Sequence, residues 1–165
     1  MGQHLARLWR YGLLLSRQRH VAEDLVQATC VRALERAGQF VPGTRMDHWL
    51  MTILHSIWLN EVRSRRVRQG LGQVDVDHVP AFDGEHAALT HVLASQVIRR
   101  VDALPEAQRE TVFLAYVEGL SYREVAQVLD VPIGTVMSRL AAARAKLAEY
   151  PPLQAVPNPS TGERR

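Results

Sequence analysis

The chain has few of the features that mark secreted, membrane-embedded or disulfide-bonded proteins. It contains one cysteine among 165 residues, so no disulfide can form within it. It has no long apolar run and no charged-then-apolar leader, so we expect neither a membrane span nor a secretory signal, and we expect a cytoplasmic protein. Cys30 falls at an apolar position of a predicted helix, which favours a buried, inert thiol.

Residue patterns of common catalytic sites are also missing. The sequence has no glycine-rich phosphate loop, no G-x-S-x-G elbow and no cysteine pair, and its seven histidines are scattered. His48 and His55 lie two turns apart on a predicted helix, too far for one metal ion without a third element, so we interpret both as surface or groove-edge residues. We therefore predict no enzymatic activity, no cofactor and no metal site.

The fold class predicted from periodicity is all-α. No segment alternates convincingly like a strand, and no repeat appears at solenoid periods. Apolar spacing and turn residues predict helices over residues 3–16, 21–37, 46–68, 86–101, 105–118, 121–130 and 132–149. In the fifth of these we expect a buried face made of Val112, Phe113, Tyr116 and Val117.

These helices are expected to form two small domains. The first domain would comprise residues 1–69 and the second residues 85–150. A flexible acidic linker, residues 70–84, would join them, and a disordered, proline-rich tail, residues 151–165, would follow the second domain. Charge follows the same division, since residues 1–70 contain eleven arginines and five acids while residues 94–165 contain nine basic and eight acidic residues. A basic first half favours a polyanionic partner.

Residues 120–150 carry the pattern of a DNA-reading helix-turn-helix. Ser121 and Glu124 have the spacing of a capping box, and Leu120 and Val125 that of a hydrophobic staple. Pro132 prevents the first helix from continuing and suits the start of a second one.

The second helix of this pair has one apolar and one polar side. Its predicted buried face consists of Val136, Leu140, Ala143 and Leu147. Polar side chains remain for other faces, and Arg139 is expected to be free to enter a major groove, where a guanidinium can bind a guanine edge. The alternative is that these two helices only pack within a helical protein.

The tryptophans of the third predicted helix give two possibilities. Trp49 and Trp58 are nine positions apart and so point to different faces. Either one of them faces a partner, or both pack against neighbouring helices. An exposed aromatic beside Arg45 and the arginines at the end of this helix is typical of a single-stranded nucleic-acid site.

Several motifs in order resemble one family, the extracytoplasmic-function (ECF) sigma factors of bacterial RNA polymerase, over about residues 5–148. Sigma region two is resembled by Ala22-Glu23-Asp24-Leu25-Val26-Gln27, Phe40-x-Pro42-Gly43-Thr44, Trp49-Leu50-x-x-Ile53 and the arginine-rich helix end. Region four is resembled by Leu104-Pro105, Gly119-Leu120-Ser121-Tyr122 and Gly134-Thr135-Val136-x-Ser138-Arg139-Leu140 with Ala143-Arg144.

The resemblance implies partners and site residues. The core polymerase would bind region two through the clamp helices of its largest subunit, at Glu23, Asp24 and Gln27, and would also use its flap. The melted minus-ten element would be contacted by Arg45, Trp58, Asn60, Arg63 and Arg66. The duplex minus-thirty-five element would be contacted by Arg123, Thr135, Met137, Ser138, Arg139 and Arg144. An anti-sigma factor is implied as an inhibitor, and the chain would be a monomer when free of partners.

The chain departs from the family pattern at five positions. Arg45 and Ser56 stand where asparagine is usual or frequent, and Asn60 where aspartate is frequent, which bears on minus-ten base preference. Met137 replaces a residue that is basic in some members. Asp130 replaces the usual glycine of the turn, and aspartate tolerates the left-handed conformation better than most residues.

A second functional class competes with the sigma factor. A one-component transcription regulator would also end in a helix-turn-helix, and would bind a palindromic operator without polymerase. An enzyme acting on nucleic acid would need an acidic or metal-ligand cluster, which the sequence lacks.

Overall fold

The computed structural model describes residues 2–69 and 96–150. Within those ranges all regular structure is helical, which confirms the predicted fold class. The predicted linker (70–84), the predicted tail (151–165) and the first part of the helix predicted over 86–101 lie outside the described residues.

Three helices form the N-terminal half. They are α1 (Gly2–Ser16), α2 (Arg19–Glu35) and α3 (Met46–Gln69), and a short 3₁₀ turn, Ala37–Gln39, follows α2. The apolar stripes predicted from sequence meet in a core that includes Leu8, Tyr11, Leu25, Leu50 and Leu54. Cys30 is half-buried, so the expectation of a fully buried thiol was wrong.

Helices α1 and α2 cross closely at Gly12. A Cβ atom at this position would lie 3.3 Å from the Cα atom of Ala22, so a larger residue would push the helices apart. Arg17, between the two helices, has a φ of 59°, in the left-handed region that non-glycine residues seldom adopt. The first half therefore depends on one small residue and one tight turn.

The C-terminal half contains α4 (residues 96–102), α5 (Glu106–Val112), α6 (Tyr122–Leu129) and α7 (Ile133–Ala148). A π-turn, Phe113–Val117, continues α5.

The π-turn overturns part of the predicted buried face. Tyr116 and Val117 are 55% and 60% exposed, whereas Val112 and Phe113 are buried as expected. The Glu118 N–H donates to the carbonyl of Phe113, 3.0 Å away, an i→i+5 bond that adds a residue to the turn. Because of that extra residue, Glu118 rather than Val117 returns to the buried side.

The helix-turn-helix has the local structure that its sequence predicts. Ser121 accepts from the Glu124 N–H, and the Glu124 carboxylate accepts from the Ser121 N–H, which completes the capping box. Asp130 ends α6 with a φ of 51°, in the left-handed conformation expected of it. Val136, Leu140 and Ala143 are fully buried on α7, and Leu147 packs against the core.

The two halves are in contact. Buried side chains from both belong to one hydrophobic cluster, and α3 packs against α6. The rings of Tyr11 on α1 and Phe113 on the π-turn stack with their centroids 5.9 Å apart. The contact between halves therefore shapes the surfaces on which the candidate functional residues lie.

We predict that Ser121→Ala lowers the free energy of unfolding by about 1 kcal/mol, because the substitution leaves an N-terminal N–H of α6 without its side-chain acceptor. Urea unfolding followed by circular dichroism measures the change. Ser138→Ala is the control, since that exposed hydroxyl donates only to the Thr135 carbonyl of its own helix. A loss equal to that of the control would contradict the role of the cap.

Candidate nucleic-acid interface

The residues predicted to contact duplex DNA lie on α6 and α7. Arg123, Met137, Ser138 and Arg144 are exposed, and Thr135 is half-buried. The Arg144 Nε–H donates to the carbonyl of Leu140 in the preceding turn, 3.3 Å away. This face of the helix pair therefore offers a serine and two arginines to solvent.

Arg139 is less free than the sequence suggested. It is half-buried, and its positive charge adds to the burial that lowers the pKa of His55 on α3 and opposes the burial that raises the pKa of Glu110 on α5. These two residues lie where the halves meet. Arg139 is therefore partly covered in this arrangement of the two halves, and its entry into a major groove stays a prediction.

The tryptophans of α3 are both partly buried against the core. The Trp49 ring contacts Phe40, with centroids 5.3 Å apart. The second of the two possibilities, in which both rings pack against neighbouring parts of the protein, agrees with this arrangement. Beyond Trp58, Asn60 and Arg63 are exposed, whereas the Arg66 side chain lies outside the described residues.

Arg45 lies just before α3 and is held by both halves of the chain. Its Nη2 lies 2.8 Å from Asp47 Oδ2, and its Nη1 lies 3.1 Å from the Gly119 carbonyl oxygen and 3.4 Å from Glu124 Oε2. Burial opposes ionisation of Asp47, but the hydrogen bonds from Arg45 and the His48 N–H, with the charge of Arg7, hold its pKa well below the usual range. Arg45 is thus paired with fixed anionic and carbonyl acceptors.

The residues predicted to bind polymerase lie together on α2. Glu23, Asp24 and Gln27 are all exposed. Two of them border a mainly apolar groove between α1 and α2, which is lined by Leu5, Ala6, Trp9, Arg10, Glu23, Val26 and Gln27. Leu5, one of the groove residues, is 40% exposed.

A charged cluster between the halves was missed from the sequence. Arg7 on α1 donates to Asp47 Oδ2, 2.6 Å away, and to both the carboxylate and the carbonyl oxygen of Glu118. Arg10 lies 3.2 Å from the same carboxylate. Ordinary helical spacing gave no reason to pair residues more than a hundred positions apart.

A second cluster of buried ionisable groups also lies between the halves. The Tyr11 hydroxyl donates to Glu110 Oε1 at 2.6 Å, and His55 Nε2 lies 3.4 Å from the same oxygen. Burial raises the pKa of Glu110 to about 7 and lowers the pKa of His55 to about 4. His55 is thus buried and neutral at neutral pH, and its assignment to the surface or a groove edge was wrong.

The structure also bears on the classes of site that the sequence made improbable. In the part of the chain that the structure describes, no helix is long and apolar enough to cross a membrane. Among the same residues, no group of three or more His, Cys, Asp or Glu side chains is placed to hold a metal ion.

Comparison with known families matches both halves of the chain. Residues 1–68 match the model of Sigma-70 region 2, and residues 94–147 match that of Sigma-70, region 4. The first match covers α1 to α3, and the second covers the helix-turn-helix.

Two curated relatives have similar sequences. The chain is 37% identical over 151 residues to the ECF RNA polymerase sigma factor SigE of Mycolicibacterium smegmatis, an alignment that covers 90% of this chain and 58% of SigE. It is 31% identical to the ECF RNA polymerase sigma factor EcfG of Rhodopseudomonas palustris, covering 84% of this chain and 75% of EcfG. The chain thus spans less than two thirds of SigE.

Two solved structures resemble the fold. The sigma factor RpoE of Bartonella quintana, in complex with the anti-sigma factor NepR, superposes with a TM-score of 0.70 at 30% identity, covering 89% of this chain and 91% of RpoE. CnrH, in complex with the cytosolic domain of CnrY, has a TM-score of 0.55 at 26% identity, covering 89% of this chain and 84% of CnrH.

The buried Glu110 and His55 make opposite contributions to the pH dependence of stability. Glu110, with its pKa raised from 4.5 to about 7, contributes stability below pH 4.5 that is lost as the pH rises through 7. His55, with its pKa lowered from 6.5 to about 4, contributes stability above pH 6.5 that is lost as the pH falls through 4. The two slopes offset each other between pH 4.5 and 6.5.

We predict that Glu110→Gln exposes the contribution of His55. The free energy of unfolding of the variant should rise with pH between 4 and 6.5, the window set by His55. The slope should approach about 1.4 kcal/mol per pH unit. Urea unfolding at a series of pH values measures it, and Glu149→Gln, an exposed glutamate, is the control. A variant curve parallel to the wild-type curve would show that Glu110 is not held neutral.

Proposed function

Because the chain belongs to the ECF group of RNA polymerase sigma factors, we propose that it directs RNA polymerase to specific promoters for the initiation of transcription. The observation that carries this proposal is the presence, in order, of a region-2 half at residues 1–68 and a region-4 half at residues 94–147. A sigma factor needs both, because one half engages the minus-ten element and the other the minus-thirty-five element.

The proposed polymerase surface is the exposed side of α2. Glu23, Asp24 and Gln27 would contact the clamp helices of the largest subunit. The neighbouring apolar groove around Trp9 supports this assignment, since a mixed apolar and acidic surface suits a protein partner better than it suits DNA. The flap would contact the C-terminal half.

The proposed DNA surfaces lie on both halves. Melted minus-ten DNA would be bound by Arg45 and by the exposed end of α3, with Trp58, Asn60, Arg63 and Arg66. Duplex minus-thirty-five DNA would be bound by α6 and α7 through Arg123, Thr135, Met137, Ser138, Arg139 and Arg144. Exposed arginines on both surfaces support this assignment, because arginine binds the phosphates that position a protein on DNA, while base contacts specify the sequence.

The proposed function also implies an inhibitory partner and a cellular location for the chain. RpoE and CnrH were each solved with an inhibitory or associated chain, NepR and the cytosolic domain of CnrY. We infer that this chain is likewise held by an anti-sigma factor, acts in the cytoplasm, is a monomer when free of partners, and contributes binding rather than catalysis to transcription.

The competing regulator is not favoured. A one-component regulator needs only its helix-turn-helix to resemble a sigma factor, whereas here the N-terminal half also matches sigma region 2 over residues 1–68.

Reconstitution tests the function directly. Purified chain is added to core RNA polymerase with a library of promoter fragments, and run-off transcripts are sequenced. We expect initiation from a defined promoter class only when the chain is present. Sequence-specific binding of a palindrome without polymerase, and no effect on initiation, would support the regulator instead.

We predict that Asp24→Arg weakens binding to core polymerase at least about 10-fold, because a like-charge contact at an interface can cost several kcal/mol. Competition with a labelled sigma factor for core polymerase measures the affinity. Glu149→Arg, the same charge reversal at the exposed end of α7, should bind as the wild type does. Equal affinity of the Asp24 variant would rule out α2 as the contact surface.

We predict that Arg139→Ala costs about 1 to 3 kcal/mol in binding to the preferred minus-thirty-five sequence and lowers discrimination at one base pair, if its guanidinium reads a base edge. A phosphate contact would instead weaken binding similarly on every sequence and reduce the salt slope by about one. Holoenzyme binding to promoters with varied upstream elements separates these cases. Wild-type activity on every promoter would exclude this helix face from DNA reading.

A further inference from the structure

The halves of the chain are joined by a carboxylate that water does not reach. The side chain of Glu118 has no exposed surface, and its ion-pair partners Arg7 and Arg10 both come from α1. A buried carboxylate is stable only when cations and hydrogen-bond donors replace its water. Glu118 therefore keeps these partners, and stays buried, only while α1 lies against the π-turn.

The contacts continue from Glu118 towards a proposed DNA-binding residue. Arg7 also binds Asp47, and Asp47 binds Arg45. Arg45 then reaches back across the boundary to the Gly119 carbonyl oxygen and to Glu124, the residue that completes the cap of α6. The N-terminal half thus contacts two consecutive residues of the C-terminal half, Glu118 through Arg7 and Gly119 through Arg45.

This arrangement occupies Arg45. A guanidinium has five N–H groups in one plane, and those of Arg45 point to a carboxylate of its own half and to two acceptors of the other. Nucleic acid would have to replace these acceptors. The interaction with the other half must break before Arg45 can turn to DNA.

We propose that Arg7, Arg10, Arg45, Asp47, Glu118 and Glu124 form a self-inhibitory clasp, which holds the two halves together in the free chain and must open before Arg45 can bind the minus-ten element. The inhibitory effect of the clasp on DNA binding rests on the proposed function. The closure of the clasp does not rest on it, because closure is a property of the free chain.

The exposures of the residues suit a clasp that opens. The Arg7 and Arg45 side chains are 27% and 43% exposed, so water and salt reach the arginine side of their ion pairs with Asp47 and screen them. The fully buried partner is Glu118, which the π-turn delivers to the boundary. Buried carboxylates paired with arginines that water reaches give a closed state that partner binding can open.

Two variants break the same contact from opposite halves. Arg7→Gln removes the cation and Glu118→Gln the anion, each with little change in size. Glu106→Gln is the matched control, because it removes one charge from an exposed position on α5. Should Glu118→Gln fail to fold, the half-exposed Arg7→Gln still decides.

Distances between the halves provide the first test. In a Cys30→Ser background, spin labels are placed at two exposed sites, Glu35→Cys on α2 and Glu149→Cys after α7, and double electron–electron resonance measures their separation in the free chain. We expect each variant to raise the open population at least about 10-fold, and the double variant to add little, since both remove one contact. Distributions equal to those of wild type and Glu106→Gln, or additive effects, would overturn the clasp.

Affinity for core polymerase is the second test. A closed chain binds with an affinity reduced by its open fraction, so the variants should bind core polymerase more tightly, by up to the factor by which opening increased. Opened distances without tighter binding would show that the contact does not inhibit. Failure of the wild-type chain to bind polymerase at all would defeat the proposed function, while the distances would still decide whether the clasp closes.

Discussion

The arrangement of the two halves depends on the burial of Glu118. Dehydrating a carboxylate is costly, and here the cost is offset by two arginines of α1 and not by groups of its own half. The π-turn of the C-terminal half makes this possible. The π-turn brings Glu118 to the buried side, and the same turn leaves the hydroxyl of Tyr116 exposed beside Tyr122, 3.5 Å away. A local change in helical pitch thus determines a contact between distant parts of the chain.

The boundary between the halves contains two kinds of polar contact. Around Glu118 the groups are charged and reach towards solvent, so their attraction falls with salt. Around Glu110 they are buried, and burial favours their neutral forms by raising the pKa of Glu110 and lowering that of His55. The charged contacts give directional pairing, whereas the neutral ones let the stacked rings of Tyr11 and Phe113 pack without an unpaired charge.

Sequence reasoning succeeded where the cause was local. The capping box of α6, the left-handed Asp130 and the buried face of α7 each depend on residues within four positions of one another, and all three are present. It failed where the cause was distant. The burial of His55 and the pairing of Arg7 with Glu118 depend on the other half of the chain, which periodicity does not describe. The exposure of Tyr116 has a local cause, the extra residue of the π-turn, which an ordinary helical period does not predict. Most of the proposed site residues came from resemblance, and Arg139 came also from the apolar pattern of its helix. The structure adds which of them pair with other residues of the chain.

The proposed polymerase and DNA surfaces differ in how accessible they are in this arrangement. Glu23, Asp24 and Gln27 are exposed on α2, whereas Arg45 is paired across the boundary and Arg139 is half-buried beside it. The first contact of polymerase with α2 therefore does not require the halves to separate, whereas full engagement of polymerase and contact of DNA with Arg45 do. Binding energy from polymerase would then be available to open the contact, which orders the events and disfavours promoter binding by the free chain.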